Sequence, residues 1–374
     1  MYVCTINNYI NTSLMKKTLI FLAAVMMTLH LGAQSSKYTY TQASDLTLIG
    51  KIHEDTPNPY HRVDTVKYKG FTKGENIQVR CGAGLAVLFK TDAKSISIKP
   101  EYGYMNNSSS TMGIALRGYD LYIKKDGKWL FAAAKAPSSR KQKSFILINH
   151  MPEGVKECML YLPIYSELHS LEIGVENGRM LEPLKSPFRH RIGIFGSSFT
   201  HGISTSRPGM SYPMQLQRWT GLQFLSLGCS GNCKMQPYFA DVLCDAKVDA
   251  LVFDAFSNPD AKMIKKRLFP FIEKLQEAHP DIPLIFQQTI RRECRNFNSV
   301  RERREHAKQD MAVKMMKEAC QRYKNVYFID TTDAADLLQE TSVDGTHPND
   351  YGYTLWAKSI EKPLLKILKK HKIK

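Results

Sequence analysis

The chain carries no His-Glu-x-x-His pair, no paired Cys-x-x-Cys and no other stretch with the spacing of metal ligands. Metal-dependent hydrolysis and zinc-stapled folding both need such spacings, so neither has a foothold here. His306, beside Glu305, has no histidine one helical turn away and reads as a surface residue. A dominant basic run is also missing. Lys and Arg number 52 against 35 Asp and Glu, a formal net charge of +17, but the positive residues are scattered. The densest segments, 291–295 and 301–304, are short, and the second fits the outer face of a helix. No nucleic-acid partner is expected, whereas a solvated lysine-rich surface, an anionic membrane or an acidic polysaccharide partner is compatible with the charge. No apolar run reaches the roughly 20 residues that cross a bilayer. The cysteines do not form an even set either: of eight, Cys4 lies in the first few residues, so at least one of the rest has no partner in the chain.

What is present begins with an export signal. Lys16 and Lys17 are followed by an apolar stretch from Thr18 to Leu31 and a small-residue exit at Gly32 and Ala33. This is the pattern of a secretory leader over residues 1–33, with Met15 as an alternative start. No cysteine follows Ala33 to take a lipid. The protein is expected to be exported, periplasmic or secreted, with no membrane insertion after leader removal. Export permits a disulfide between Cys229 and Cys233, but two small buried side chains are the plainer expectation.

A chain of 374 residues exceeds one comfortable core and allows about two domains. Over residues 38–186 the pattern is β throughout, with short runs at 76–81, 85–89, 95–98, 144–148 and 171–174, many alternating with period two. Asp126 and Gly127 between two such runs predict a hairpin, because both turn positions tolerate positive φ. An all-β sandwich or jelly roll is expected. Residues 182–189, with Pro183 and Pro187, read as a linker. Beyond it, over 187–374, strand-like runs at 191–195, 223–227, 250–255, 283–288 and 326–329 alternate with helical patterns that include 301–322 and 349–370. Strands separated by helices imply an α/β fold with a parallel, helix-covered sheet.

The first of these strands breaks abruptly into a serine-bearing turn. Ile192, Ile194 and Phe195 form the apolar run, Gly196 lets the backbone turn, and Ser198 follows just past the carboxyl end, where open α/β sheets place their ligands. Serine is also common in turns for local hydrogen bonding alone. Near the other end of the chain, Asp344 and His347 stand three residues apart ahead of a helical pattern. A serine nucleophile needs an imidazole to take its proton and a carboxylate to hold the ring. The same pair also fits a turn-forming aspartate and a helix-start histidine before Pro348. The Gly-x-Ser-x-Gly elbow of the α/β-hydrolases is not met, because Thr200 takes the fifth position.

A family resemblance joins these pieces. Residues 196–202, Gly-Ser-Ser-Phe-Thr-His-Gly, resemble the first block of the SGNH (GDSL-type) hydrolases, whose third position is the nucleophile, and this points to Ser198 rather than Ser197. Residues 226–232 resemble the second block, with Gly231 at the oxyanion position. Phe256-Ser257-Asn258-Pro259 resembles the third, with Asn258 as a side-chain oxyanion donor, and Asp344 to His347 match the last. Phe256 and Pro259 replace the usual glycine and aspartate of the third block, and Ser197 stands where aspartate is usual. The resemblance implies flavodoxin-like strand order and catalytic Ser198, Asp344 and His347. It also implies an oxyanion hole from Ser198, Gly231 and Asn258, and two-step ester hydrolysis with no metal or organic cofactor.

Gly118-Tyr119-Asp120-Leu121-Tyr122 is similar to the Gly-x-Asp-Leu-Tyr signature of a β domain that precedes some SGNH hydrolases of gut-type bacteria. Similar two-domain exported proteins imply an acylated oligosaccharide or polysaccharide as substrate, most simply an O-acetylated one. A sugar O-acyltransferase with the same triad and an inactive carbohydrate-binding relative are the alternatives. Arg291 and Arg292 follow the strand that ends at Gln288, and at least one would contact substrate, an acidic sugar among the candidates, with solvent-facing loop arginines as the alternative. The β domain is expected to be an accessory that helps bind polymer. Tyr60, Arg62, Tyr102, Tyr104 and Trp129 are the side chains for that role, though aromatic residues also dominate sandwich cores.

Overall fold

The computed structural model describes residues 37–331, 334 and 339–373. The leader expected over residues 1–33 lies outside them. Alternating apolar residues build two antiparallel sheets in the amino-terminal half. One joins Leu181–Pro183, Ala86–Thr91, Lys156–Tyr161, Tyr119–Lys125 and Lys128–Lys135 in that order. The other sets Ser166–Glu176, Ile96–Met105 and Phe145–Ile148 side by side. Val87, Phe89, Leu121 and Leu160 of the first sheet share a buried cluster with Ile96, Ile98, Leu171 and Ile173 of the second. The Asp126-Gly127 turn forms as the sequence predicts: Lys125 pairs with Lys128, and the two turn residues have φ of 49° and 76°.

Two expectations are corrected. Residues 76–81 are not a strand, because Lys73–Val79 is helical. Thr72 accepts from the Glu75 N–H while the Glu75 carboxylate accepts from the Thr72 N–H. That reciprocal cap satisfies two otherwise orphaned donors and outweighs the strand-like alternation that follows. The linker is also shorter than expected. Leu181–Pro183 pairs antiparallel with Ala86–Thr91, and Arg189 already belongs to the first parallel strand.

That strand, Arg189–Gly196, lies in a five-stranded sheet of order Leu222–Gly228, Arg189–Gly196, Ala250–Asp254, Leu284–Gln287, Val326–Ile329, every pair parallel. This is the doubly wound order with its reversal beside Arg189–Gly196, so the crevice at the carboxyl edge is the expected ligand position. Ser299–Arg322 and Asp350–Lys370 are among the covering helices.

The described residues from Tyr40 onward form one compact unit. Ile52, Val63 and Val79 of the β-rich half lie in the same buried cluster as Leu225, Leu227 and Phe239 of the α/β half. Ala86, Leu88, Tyr122 and Met159 likewise share a cluster with Ile194, Tyr212 and Met214. The Gly-x-Asp-Leu-Tyr signature is part of this join. Buried Asp120 accepts from Arg207 Nη1 at 2.9 and 3.1 Å and from the Gly209 N–H at 2.9 Å, and the Tyr122 hydroxyl bonds Arg207 as well. Burial raises the Asp120 carboxyl above its ordinary pKa, against the opposing pull of Arg207 and the Gly209 N–H.

Candidate active site

At the carboxyl end of Arg189–Gly196 the chain turns into a one-turn helix, Ser198–His201, which presents Ser198 as its first residue. The turn tolerates no side chain at Gly196, where a β-carbon would fall 1.9 Å from Thr200 Oγ1. Gly228, at the end of the neighbouring strand, is equally constrained, since a β-carbon there would fall 2.2 Å from the His201 nitrogen. Ser198 is only 6% exposed. The preceding Ser197 is the helix cap: its Oγ accepts from the Phe199 N–H at 3.2 Å and donates to Asp254 Oδ2 at 2.6 Å. Asp254 also accepts from the Ser197 N–H, Thr200 Oγ1 and Ser257 Oγ. Burial raises the Asp254 carboxyl, with hydrogen bonds from Ser197 and Ser257 acting against it.

Ser197 thus holds the elbow through its hydroxyl while Ser198 Oγ has no hydrogen-bond partner among the described residues. Ser197→Ala is expected to keep turnover within about tenfold of the parent. It should lower unfolding free energy by about 1 to 2 kcal/mol, as the cap and one buried hydrogen bond are lost. Denaturant titration alongside kinetics checks both, and loss of catalysis by Ser197→Ala in a stable protein would reassign the nucleophile.

The loop 343–347 is pinched by a bridge between Ser342 and Pro348 and by the Val343 N–H donating to the His347 carbonyl at 2.9 Å. Asp344 uses both oxygens. Oδ1 accepts from the Thr346 and His347 N–H groups at 3.0 and 2.8 Å, and Oδ2 lies 2.8 Å from His347 Nδ1. Burial works to raise the Asp344 carboxyl, but the His347 ring and the two backbone donors outweigh it and hold the group below its ordinary pKa. The His347 ring rests edge-on against Phe199, the residue after Ser198, with centroids 5.8 Å apart. A further anchor comes from Glu293, which accepts from the Thr341 N–H and hydroxyl at 2.6 Å each, while the Cys294 N–H bonds the Gly345 carbonyl at 2.7 Å.

A second histidine, His201, lies in the same one-turn helix as the serine and is buried. His201 Nε2 is 2.7 Å from the Ile164 carbonyl, and its ring stacks on Tyr165 at 4.0 Å. Burial drives its pKa well below the usual imidazole value, and Arg62 adds to the effect.

The expected oxyanion donors Gly231 and Asn258 follow the strands Leu222–Gly228 and Ala250–Asp254. Asn258 Oδ1 accepts from the Cys233 N–H at 3.1 Å, which fixes the amide so that its Nδ2 donors are free of partners among the described residues. Phe256 fills the place of the missing glycine by packing in the core against Phe286 and Phe328. The Ser257 carbonyl accepts from Arg292 Nη2 at 2.6 Å and from buried Lys308 at 3.3 Å. Desolvation, helped by Arg292, brings the Lys308 ammonium down to about 8. Gly231, exposed, has φ of 73° in the turn after Ser230. Cys229 and Cys233 are both buried and form no disulfide.

The two arginines diverge. Arg292 lies over the Phe199 ring at 5.3 Å, bonds Glu305, and with Asn258, Arg304 and Lys308 lines a cavity of about 490 Å³. Arg291 bonds Gln339 and faces a different cavity. Of the side chains expected to reach polymer, Tyr60 and Arg62 are buried, and Tyr102 bonds the Arg117 carbonyl. Trp129 stacks on Phe188, so Tyr104 is the exposed member of the set. Sequence reasoning missed Asp254 and Glu293, which belong to no block and become visible only through their partners. Among the described residues no group of three or more His, Cys, Asp or Glu is placed to hold a metal ion, and no helix is long and apolar enough to cross a membrane.

Comparisons with known proteins show the family and the fold. Residues 189–365 match the GDSL-like lipase/acylhydrolase family, and residues 37–181 match the GxDLY family, the N-terminus of SGNH-hydrolase-type esterases. No curated protein matches. Among solved structures, a GDSL-like lipase from Bacteroides ovatus is 38% identical, with 89% of this chain and 98% of that one aligned at a TM-score of 0.85. A salicylyl-acyltransferase from a tetracycline biosynthetic pathway is 19% identical over 90% of this chain and 99% of its own, at a TM-score of 0.68. An acetyl xylan esterase from the rumen bacterium Butyrivibrio proteoclasticus is 12% identical over 89% and 99%, at 0.54. The last two likenesses establish a shared fold.

Proposed function

The chain belongs to the GDSL-like lipase/acylhydrolase family, and we propose that it is an exported serine esterase removing O-acyl groups, in the simplest case O-acetyl, from oligosaccharide or polysaccharide. In this reading His347 takes the Ser198 proton as the hydroxyl attacks the acyl carbon, and Asp344 holds the ring and stabilises the imidazolium. The developing oxyanion meets the N–H groups of Ser198 and Gly231 and the amide of Asn258. Water repeats the sequence on the acyl-enzyme. The observation that carries the reading is the Asp344–His347 pair seated against Phe199, with the uncommitted amide of Asn258 at the same sheet edge.

The substrate class is supported by the cavity beside Asn258. Its walls include Asp260, Lys262, Arg292, Arg304, Glu305 and Lys308, a lining suited to hydroxyl groups and ill suited to an alkyl chain. The acetyl xylan esterase of like fold points the same way. Acetate release from a panel of acetylated polysaccharides tests the proposal. Hydrolysis of long-chain acyl esters with no acetate from any carbohydrate would overturn it. The salicylyl-acyltransferase of like fold motivates one further arm, in which excess sugar acceptor reveals whether water or a hydroxyl resolves the acyl-enzyme.

Arg292 is the better placed of the two arginines to touch substrate, since it lines this cavity. Arg292→Ala is expected to lower kcat/KM on acetylated oligosaccharide by about 10- to 100-fold, the effect of losing one charge-assisted hydrogen bond. Arg291→Ala should leave it unchanged. The contrast should be larger on uronate-containing substrates, and unaltered kinetics for Arg292→Ala would remove that residue from substrate binding.

A further inference from the structure

The N–H that Gly231 would offer to an oxyanion belongs to the same rigid plane as the Ser230 carbonyl, so whatever holds that carbonyl aims the N–H. Packing does not hold it. Gly231 is exposed, and a β-carbon built on it would meet nothing within 4 Å. The aim comes from hydrogen bonds on Ser230. Its carbonyl accepts from Asn232 Nδ2 at 2.8 Å and from Gln78 Nε2 at 3.1 Å, and its N–H donates to Gln78 Oε1 at 2.5 Å. Its hydroxyl bonds Tyr165. Gln78 therefore grips Ser230 by both backbone groups, and it comes from the β-rich half.

Gln78 is itself anchored. Its helix, Lys73–Val79, carries Glu75, which accepts from Gln236 Nε2 at 3.1 Å and from the Tyr238 hydroxyl at 3.0 Å, just past the loop. Fully buried Arg62 donates to the Gln78 carbonyl at 2.6 Å and to the Cys81 carbonyl at 2.9 Å. Arg62 also donates to the Ser226 and Gly228 carbonyls at 3.1 and 3.0 Å, on the strand that leads into the loop. A chain of hydrogen bonds thus runs from the β-rich half to the peptide of Gly231. Bonds accepted by a carbonyl also polarise the N–H of the same peptide and strengthen its donation.

We propose that Gln78 is a positioning residue of the oxyanion hole: without touching substrate, it orients and polarises the Ser230–Gly231 peptide for the transition state. The proposal rests on the assignment of Ser198, Gly231 and Asn258 above. The test uses the full chain with Gln78→Ala and Gln78→Glu, the latter keeping the acceptor for the Ser230 N–H and losing the donor to its carbonyl. On an aryl acetate both should lower kcat by about 10- to 100-fold with KM within about twofold. That is short of the 10² to 10³ expected for losing a donor outright, as in Asn258→Ala. The melting temperature should stay close to the parent, and affinity for a boronic acid that mimics the tetrahedral adduct should fall in step with kcat.

An unchanged kcat in both variants, with Ser198→Ala inactive and Asn258→Ala impaired, would overturn the role of Gln78 alone. Full turnover by Ser198→Ala would instead bring down the site assignment beneath it. A parallel fall of melting temperature, kcat and substrate affinity in both variants would make Gln78 a structural residue and equally defeat the proposal.

Discussion

Replacing Ser198 by alanine is expected to lower turnover of an aryl acetate by about 10⁶, as when the nucleophile of other serine hydrolases is removed, with little effect on stability. The stability half follows from the contacts. Ser198 Oγ has no hydrogen-bond partner among the described residues, and the cap of its helix is supplied by Ser197. His347→Ala should fall equally far, and the double substitution no further, because nucleophile and base act as one unit. Single-turnover kinetics should show no acyl-enzyme in either variant. Parent-like hydrolysis by Ser198→Ala would refute the nucleophile assignment, and a double variant far worse than either single one would mean that the two residues act separately.

Asp344→Asn is expected to cost about 10⁴ in kcat with KM little changed, and the reason is specific to this loop. Oδ1 is claimed by two backbone donors, from Thr346 and His347. An asparagine would therefore place its oxygen there and turn its amide nitrogen toward His347 Nδ1. The ring would have to accept at Nδ1 and carry its proton on Nε2, the tautomer that cannot take a proton from serine. Nitrogen-15 spectra of the imidazole would show the tautomer directly. A near-parent rate would mean that another group orients His347. Linkage has a matching sign. The Asp344 carboxyl lies below its ordinary pKa in the folded protein, so its contribution to stability is present above the ordinary carboxylate range and lost as pH falls through the folded value.

Much of this was legible in the chain because it is written locally. The five parallel strands, the Asp126-Gly127 hairpin and the helices near 301–322 and 349–370 follow from periodicity and turn chemistry, each decided within a dozen residues. The pairing of Asp344 with His347 across three residues is of the same kind. Local signals also misled: alternation over 76–81 suggested a strand, whereas the Thr72–Glu75 cap starts a helix there.

What only the tertiary structure shows is how the amino-terminal half meets the α/β half. Read as a sequence it is a separable accessory, because no catalytic block lies within it and the linker reads as a boundary. In the folded chain its apolar residues complete two cores of the α/β half, Asp120 is buried against Arg207, Gln78 reaches the loop that carries Gly231, and Arg62 reaches the strand that leads into it. A hydrogen bond from Gln78 to Ser230 spans 152 positions, and neither residue carries a local mark of it. Helix and strand are settled by neighbours in the chain, but the aim of a single peptide N–H is settled by whichever distant side chain the packing brings to its carbonyl.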